Sequence, residues 1–267
     1  MLLNKRISIS YIFNKVKTDL AYVSVVALTV LYLTKAYEHV LPEIPFTIPT
    51  FLGTAISILL SFKLSQSYDR WWEARKIWGS IINDSRSFII QLQTLTHIDN
   101  EAIKKIASRQ IAWCYALGKS LRGLNALEDI EMHLSQQDLK EIELHTNKPL
   151  ALIQLNAMDI KQEKVNGHIN DFSHIQLDNT LVRLCDSQGK AERIKTTVFP
   201  VTYRMFLHFI IYLFLVVLSI ALKEIEWYFQ IPLLLLISTA FFLLEKSATI
   251  MQDPFENRPT DTPMTAI

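Results

Sequence analysis

Glycine is scarce: 6 in 267 residues, with no GxxxxGK run, so a glycine-rich phosphate cradle is excluded. Only two cysteines are present, Cys114 and Cys185, far apart and in no CxxC spacing. They read as buried, reduced thiols rather than a disulfide framework or a zinc site. The seven histidines (His39, His97, His133, His145, His168, His174 and His208) fall in no HxxxH or HExxH spacing, and no carboxylate pairs with a nucleophile motif. No catalytic site, metal or cofactor is therefore expected. A formal net charge of +1 and the lack of a basic run interleaved with aromatics exclude nucleic acid as a partner. There is no persuasive strand run and no internal repeat. Met1 to Asp19 carries Lys5, Arg6, Lys15 and Lys17 without a small-residue cleavage site, so no cleavable signal is expected.

What the chain does have is apolar length: half of its residues are hydrophobic. Met205 to Leu222 is interrupted only by His208 and Ser219, and Trp227 to Leu244 only by Gln230, Ser238 and Thr239. Ala21 to Thr34 is short, but a helix over 19–40 spans a bilayer if Lys35 snorkels. Thr50 to Phe62 is short and rich in small and hydroxyl residues, as suits a helix facing protein or water. Membrane helices are thus predicted at about 19–40, 49–66, 203–222 and 227–244. His208 within a span is either a functional ionisable group or an interhelical hydrogen-bonding residue. Positive residues flank the first span, follow the second (Arg70, Arg75, Lys76) and lead into the third (Arg193, Lys195, Arg204). The opposite connections hold only Lys35 and Lys223. Both termini and the long middle segment are predicted on the cytoplasmic side of the cell membrane.

That middle, about 67–200, is too rich in helix formers for a linker. Glu101 to Leu127 has the apolar steps of an amphipathic helix: Ile103, Ile106, Ile111, Trp113, Leu117 and Leu121. Further helices are predicted over Ser135–Leu144, capped by Ser135 with Asp138 three residues on, over Pro149–Met158 and over Asp171–Leu184. Asn166–Gly167 marks a turn and Ser187–Lys190 a loop. The fold class is all-α, with helical cytosolic structure built on continuations of membrane helices.

The organising stretch is Pro49 to Ser85. Its first half is apolar, with Gly53, Thr54, Ala55, Ser57 and Ser61. Its second half is crowded with charge and tryptophan. No glycine or proline interrupts it between Thr54 and Ala74, so one long helix is predicted to leave the membrane and continue into water. Thr54, Ile58 and Phe62 share a stripe, and at 100° per residue Asp69 and Glu73 return within about 20° of Phe62. Two readings fit this spacing: a packed or lipid-facing stripe leading to a solvated face, or a pore lining with an apolar constriction above a charged vestibule.

The residues SYDRWWEARKIWG (Ser67 to Gly79), followed by NDSR (Asn83 to Arg86), resemble the bestrophin family of channel-forming membrane proteins, its bacterial members above all. AERIKTTVFP (Ala191 to Pro200) is similar to the family's entry into its third membrane helix, and DPF (Asp253 to Phe255) to its closing NPF segment. The matches bracket almost the whole chain, implying one bestrophin-like domain over 1–267. The resemblance further implies a homopentamer in the lipid bilayer whose second helices surround an axial pore for small inorganic ions. The neck falls on Thr54, Ile58 and Phe62. A cytosolic constriction falls on Ile175, with Phe172 as the alternative. Asp69 and Glu73 supply vestibule charge, whereas Arg70, Trp71, Trp72, Arg75 and Trp78 are expected to be structural. Anion (chloride) conduction is the family default, a monovalent-cation channel the alternative, and a non-conducting membrane scaffold the reading from another class. Animal members bind calcium through an acidic run after NPF. Here DPFENRPTD has Arg258 in that run, so no calcium site is expected.

Overall fold

A computed structural model describes residues 9–37, 43–197 and 200–264. Among them, regular structure is entirely helical: α1 (Ile9–Ala36), α2 (Thr47–Leu95), α3 (Asn100–Leu121), α4 (Gln136–Glu143), α5 (Lys148–Val165), α6 (Asp171–Thr196), α7 (Val201–Ala221) and α8 (Trp227–Gln252), with one 3₁₀ turn at Glu131–His133. Four helices, α1, α2, α7 and α8, are long and apolar enough to cross a membrane. The chain divides into two compact units, Leu2–Arg70 with Val198–Gln252, and Trp71–Thr197 with Asp253–Ile267. The long helix α2 contributes to both.

In the first unit α1 packs along α7 and α8. The core is made of Val16, Val23, Ile56, Leu60, Leu207, Ile211, Phe214, Leu234 and Phe242, among others. A Cβ at Gly53 would stand 3.3 Å from the Phe214 ring, so glycine lets α2 and α7 approach closely there. Two spans run past their predicted ends. The helix α1 begins at Ile9, ten residues before Asp19, and α8 continues through Glu245 and Lys246 to Gln252. Two of the charges in these extensions are answered by a neighbouring helix: Asp19 by Lys246, and Glu245 by Lys63. The last predicted residues of the first span, 38–40, lie outside the described residues, as do Val198 and Phe199 of the motif entering the third.

The second unit has its own core, joining Trp78, Ile81, Phe88 and Leu92 of α2 to Trp113 and Leu117 of α3, Leu152 of α5, Leu177 and Leu184 of α6, and Phe255 and Met264. The Ser135/Asp138 capping box forms as predicted. Elsewhere the predicted bounds need correction. The helix α3 stops at Leu121 rather than 127, because Gly123 takes a left-handed conformation (φ 70°) just after it. The helix α5 runs past Met158 to the predicted turn at Asn166 and Gly167 (φ 83°). Ser187–Lys190 is not a loop but lies within α6. Its polar residues are needed inside: Gln188 accepts the buried Trp113 indole N–H at 3.1 Å and donates to Asn147 and Glu192 at 3.1 and 2.8 Å. Of the two thiols, only Cys185 departs from the expected burial. Cys114 is buried, and burial pushes its pKa up to about 11, whereas Cys185 is exposed. Cys185 sits one residue beyond the buried Leu177–Leu181–Leu184 stripe, so the turn of α6 carries it outward.

The tryptophans of the long motif divide in the same way. Trp78 is 1% exposed in the core, Trp71 donates its indole N–H to the Thr260 carbonyl at 3.0 Å, and Trp72 is 47% exposed. Trp78→Ala is expected to empty a core site at a cost of about 3–5 kcal/mol. Trp72→Ala should destabilise the folded chain far less. Urea unfolding of detergent-solubilised protein, followed by tryptophan fluorescence, measures the difference.

Candidate permeation surface

Every third or fourth residue of α2 fails to find cover. Thr54, Ile58, Ser61, Phe62, Ser65 and Asp69 are all exposed. Ile58 and Phe62, both large and apolar, are 53% and 63% exposed. The stripe read from the sequence is therefore an unpartnered face of α2, not a packed one. Its hydroxyls are turned on the helix itself: Thr54 Oγ1 donates to the Thr50 carbonyl at 2.9 Å and Ser57 Oγ to the Gly53 carbonyl at 2.8 Å. These two hydroxyl protons are thereby used, leaving their oxygen lone pairs free to accept. Further along, Asp69 is exposed without an ion pair among the described residues. Glu73 is only partly exposed and meets Lys76 at 2.8 Å. The two carboxylates expected to supply vestibule charge are thus unequal, Asp69 without an ion pair among the described residues and Glu73 paired with Lys76.

The opposite face of α2 is buried: Ile56, Leu60, Lys63 and Ser67. Lys63 was passed over in the sequence. Its ammonium, wholly buried, donates to Glu245 Oε1 at 2.6 Å and to Thr249 Oγ1 at 3.0 Å. His208 Nε2 stands 3.4 Å from Glu245 Oε2, a long approach that associates this histidine with the pair. The signal was present in outline: one lysine in an otherwise uncharged run from Thr50 to Tyr68, and one glutamate after the apolar run of α8. Only their packing couples them.

On α6, Phe172 and Ile175 stand one turn apart and both face outward, 84% and 55% exposed. Asn170 caps that helix through the Ser173 N–H at 2.8 Å. After α8, Asp253 and Glu256 converge on Lys195 at 2.8 and 2.5 Å. Burial works against the charges of Lys195 and Asp253. Their mutual pairing prevails, raising the Lys195 pKa and lowering that of Asp253. Arg258 donates its backbone N–H to Asp261 Oδ2 at 3.0 Å. The acidic residues of this segment are thus taken up within the chain.

Comparisons with known proteins agree in one direction. Residues 4–267 match the family model described as bacterial/fungal bestrophin protein. The voltage-dependent anion channel-forming protein YneE of Escherichia coli K12 is 31% identical over 260 residues, covering 96% of this chain and 84% of the relative. Its namesake RSc3414 of Ralstonia nicotianae is 28% identical, covering 81% and 71%. The crystal structure of a bacterial bestrophin homolog from Klebsiella pneumoniae superposes with a TM-score of 0.87 at 27% identity, covering 94% of this chain and 93% of that one.

Proposed function

Because the chain belongs to the bacterial/fungal bestrophin family, we propose that it is a homopentameric membrane channel passing small inorganic ions passively, anions by preference. The family is of channel rather than enzymatic type. The observation that carries the reading is the unpartnered face of α2, where Thr54, Ile58 and Phe62 stand exposed on a helix able to span a membrane. Five such helices around one axis give the hydroxyls water and the apolar rings one another. Thr54, Ile58 and Phe62 then form the neck, and Ile175 of α6, with Phe172 as the alternative, the cytosolic constriction. Both termini lie in the cytoplasm, as the distribution of Lys and Arg supports. Anion preference rests on the relatives, which carry the name of anion channels. Cation preference is the second reading, favoured by Asp69, exposed without an ion pair among the described residues: a ring of five carboxylates concentrates cations.

The reversal potential of the reconstituted protein under a salt gradient tests this, because its sign reports the preferred charge. Absence of any flux from verified proteoliposomes would leave a membrane scaffold instead. Native mass spectrometry in detergent gives the subunit count, and a monodisperse monomer or dimer contradicts the pentamer. Opening is expected to be independent of calcium, since Asp253 and Glu256 already neutralise Lys195 and Arg258 interrupts the acids of this segment. Flux in chelator should equal flux in micromolar calcium. A collapse that calcium reverses would contradict this expectation.

A further inference from the structure

A lysine fully buried in a membrane helix calls for a reason. Truncating one partner of a buried ion pair is strongly destabilising, yet a well-packed apolar pair serves stability equally well. Lys63 Nζ donates to Glu245 Oε1 at 2.6 Å and Thr249 Oγ1 at 3.0 Å, and Thr249 Oγ1 donates to the same Oε1 at 2.9 Å. One turn along α2, Ser67 Oγ accepts the Gln252 amide N–H at 3.2 Å while donating to the Lys63 carbonyl at 2.7 Å. Lys63 and Ser67 on α2 thus meet Glu245, Thr249 and Gln252 on α8 as successive rungs of a polar ladder. Apolar packing tolerates sliding and repacking of one helix against another. Rungs of hydrogen bonds one turn apart do not, because a shift of one residue rotates α2 by about 100° and breaks every rung.

Lys63 directly follows Phe62. We propose that the Lys63–Glu245 ladder is the positioning device of the ion pathway: it fixes the rotation and height of α2 against α8, so that Ile58 and Phe62 point into the pore. The inference rests on the reading of Thr54, Ile58 and Phe62 as the neck. Lys63 and Glu245 act through Phe62 and need never meet an ion. Their mutual neutrality keeps a buried charge behind the neck from imposing its own ion preference.

The test uses full-length protein in proteoliposomes, with chloride flux and the flux of gluconate, a larger anion, measured for assembled channels of equal amount. Glu245→Gln keeps the shape and one acceptor but removes the charge. Lys63→Met with Glu245→Met replaces the pair by apolar volume. Each assembled variant is expected to change the gluconate-to-chloride flux ratio by about threefold or more, and the exchange Lys63→Glu with Glu245→Lys to return it to within about twofold of wild type. Wild-type ratios in the assembled Glu245→Gln or double-Met channel overturn the proposal. So does failure of all ladder variants to assemble, since the pair would then serve the fold alone. Phe62→Ala separates the two ideas: an altered ratio there with unaltered ladder variants sinks the ladder only, whereas no change in Phe62→Ala removes the neck beneath it.

Discussion

Phe62→Ala is expected to raise flux through the reconstituted protein and to admit larger ions, with Ile58→Ala acting the same way on a smaller scale. Both side chains are exposed on the unpartnered face of α2, so neither truncation leaves a hole in the core. In a ring of five, they supply apolar surface and no group able to replace an ion's hydration shell. Such a ring resists water and ions by dewetting unless it widens, which makes it a gate rather than a binding site. If loss of the phenyl groups lowers the barrier by about 1.4 kcal/mol, flux rises about tenfold. Leu236, 70% exposed on α8, is the control position whose substitution should leave permeation unchanged. Leu235 is not suitable, since it packs against the core of its unit. Flux and size cutoff indistinguishable from wild type in both alanine variants would show the stripe to be ordinary surface and move the pore elsewhere.

Arg109→Met is expected to be as damaging to the second unit as loss of the core Trp78 side chain. The Arg109 side chain is buried and donates to Asp138 Oδ1 at 2.7 Å, Asp159 Oδ2 at 2.8 Å and Asn156 Oδ1 at 3.1 Å. It joins α3 to Asp138 on α4 and to Asn156 and Asp159, one turn apart on α5. Methionine fills much of the volume but strands the Asp138 carboxylate and the buried Asn156 amide. Breaking a buried pair on one side costs about 3–5 kcal/mol. Against a typical total of about 5–15 kcal/mol, that loss should be visible as poor recovery of folded protein and a lowered melting temperature. The pH dependence follows in sign. Burial opposes the charge of Asp138, but Arg109 and Ser135 hold its pKa below the ordinary 3.8. The stabilisation is therefore complete above that value and is lost as pH falls through the lower, folded-state pKa. Melting temperature should not respond to this pair between pH 7 and 5, and the acid limb it contributes should be missing in Arg109→Met. An unchanged acid limb in the variant would assign that limb to other carboxylates.

Much of the architecture was legible because it is written in local periodicity. The long interval without glycine or proline in α2, the apolar runs of α7 and α8 and the Ser135 cap all follow from residues within a few turns of one another. The candidate neck was legible in the same way, as a stripe at four-residue spacing. Whether the stripe was covered was not legible, since an apolar face looks alike in sequence whether it packs or stands open. The ends of helices were misplaced where glycine closed α3 early and where Ser187–Lys190 looked like a loop. In the latter case the polar residues serve a tryptophan 75 positions away.

By itself the sequence determined the all-helical class, the four apolar spans, the candidate pore stripe and the family, because each rests on spacing or motif within one stretch of chain. Only the tertiary structure decided which polar and charged groups go inside. Lys63 and Glu245, 182 residues apart, are each an anomaly in a membrane helix when read alone. Brought to 2.6 Å, they neutralise one another and become part of the packing. Neutralisation is a property of the pair, set by how the helices pack, and no window of sequence contains both members.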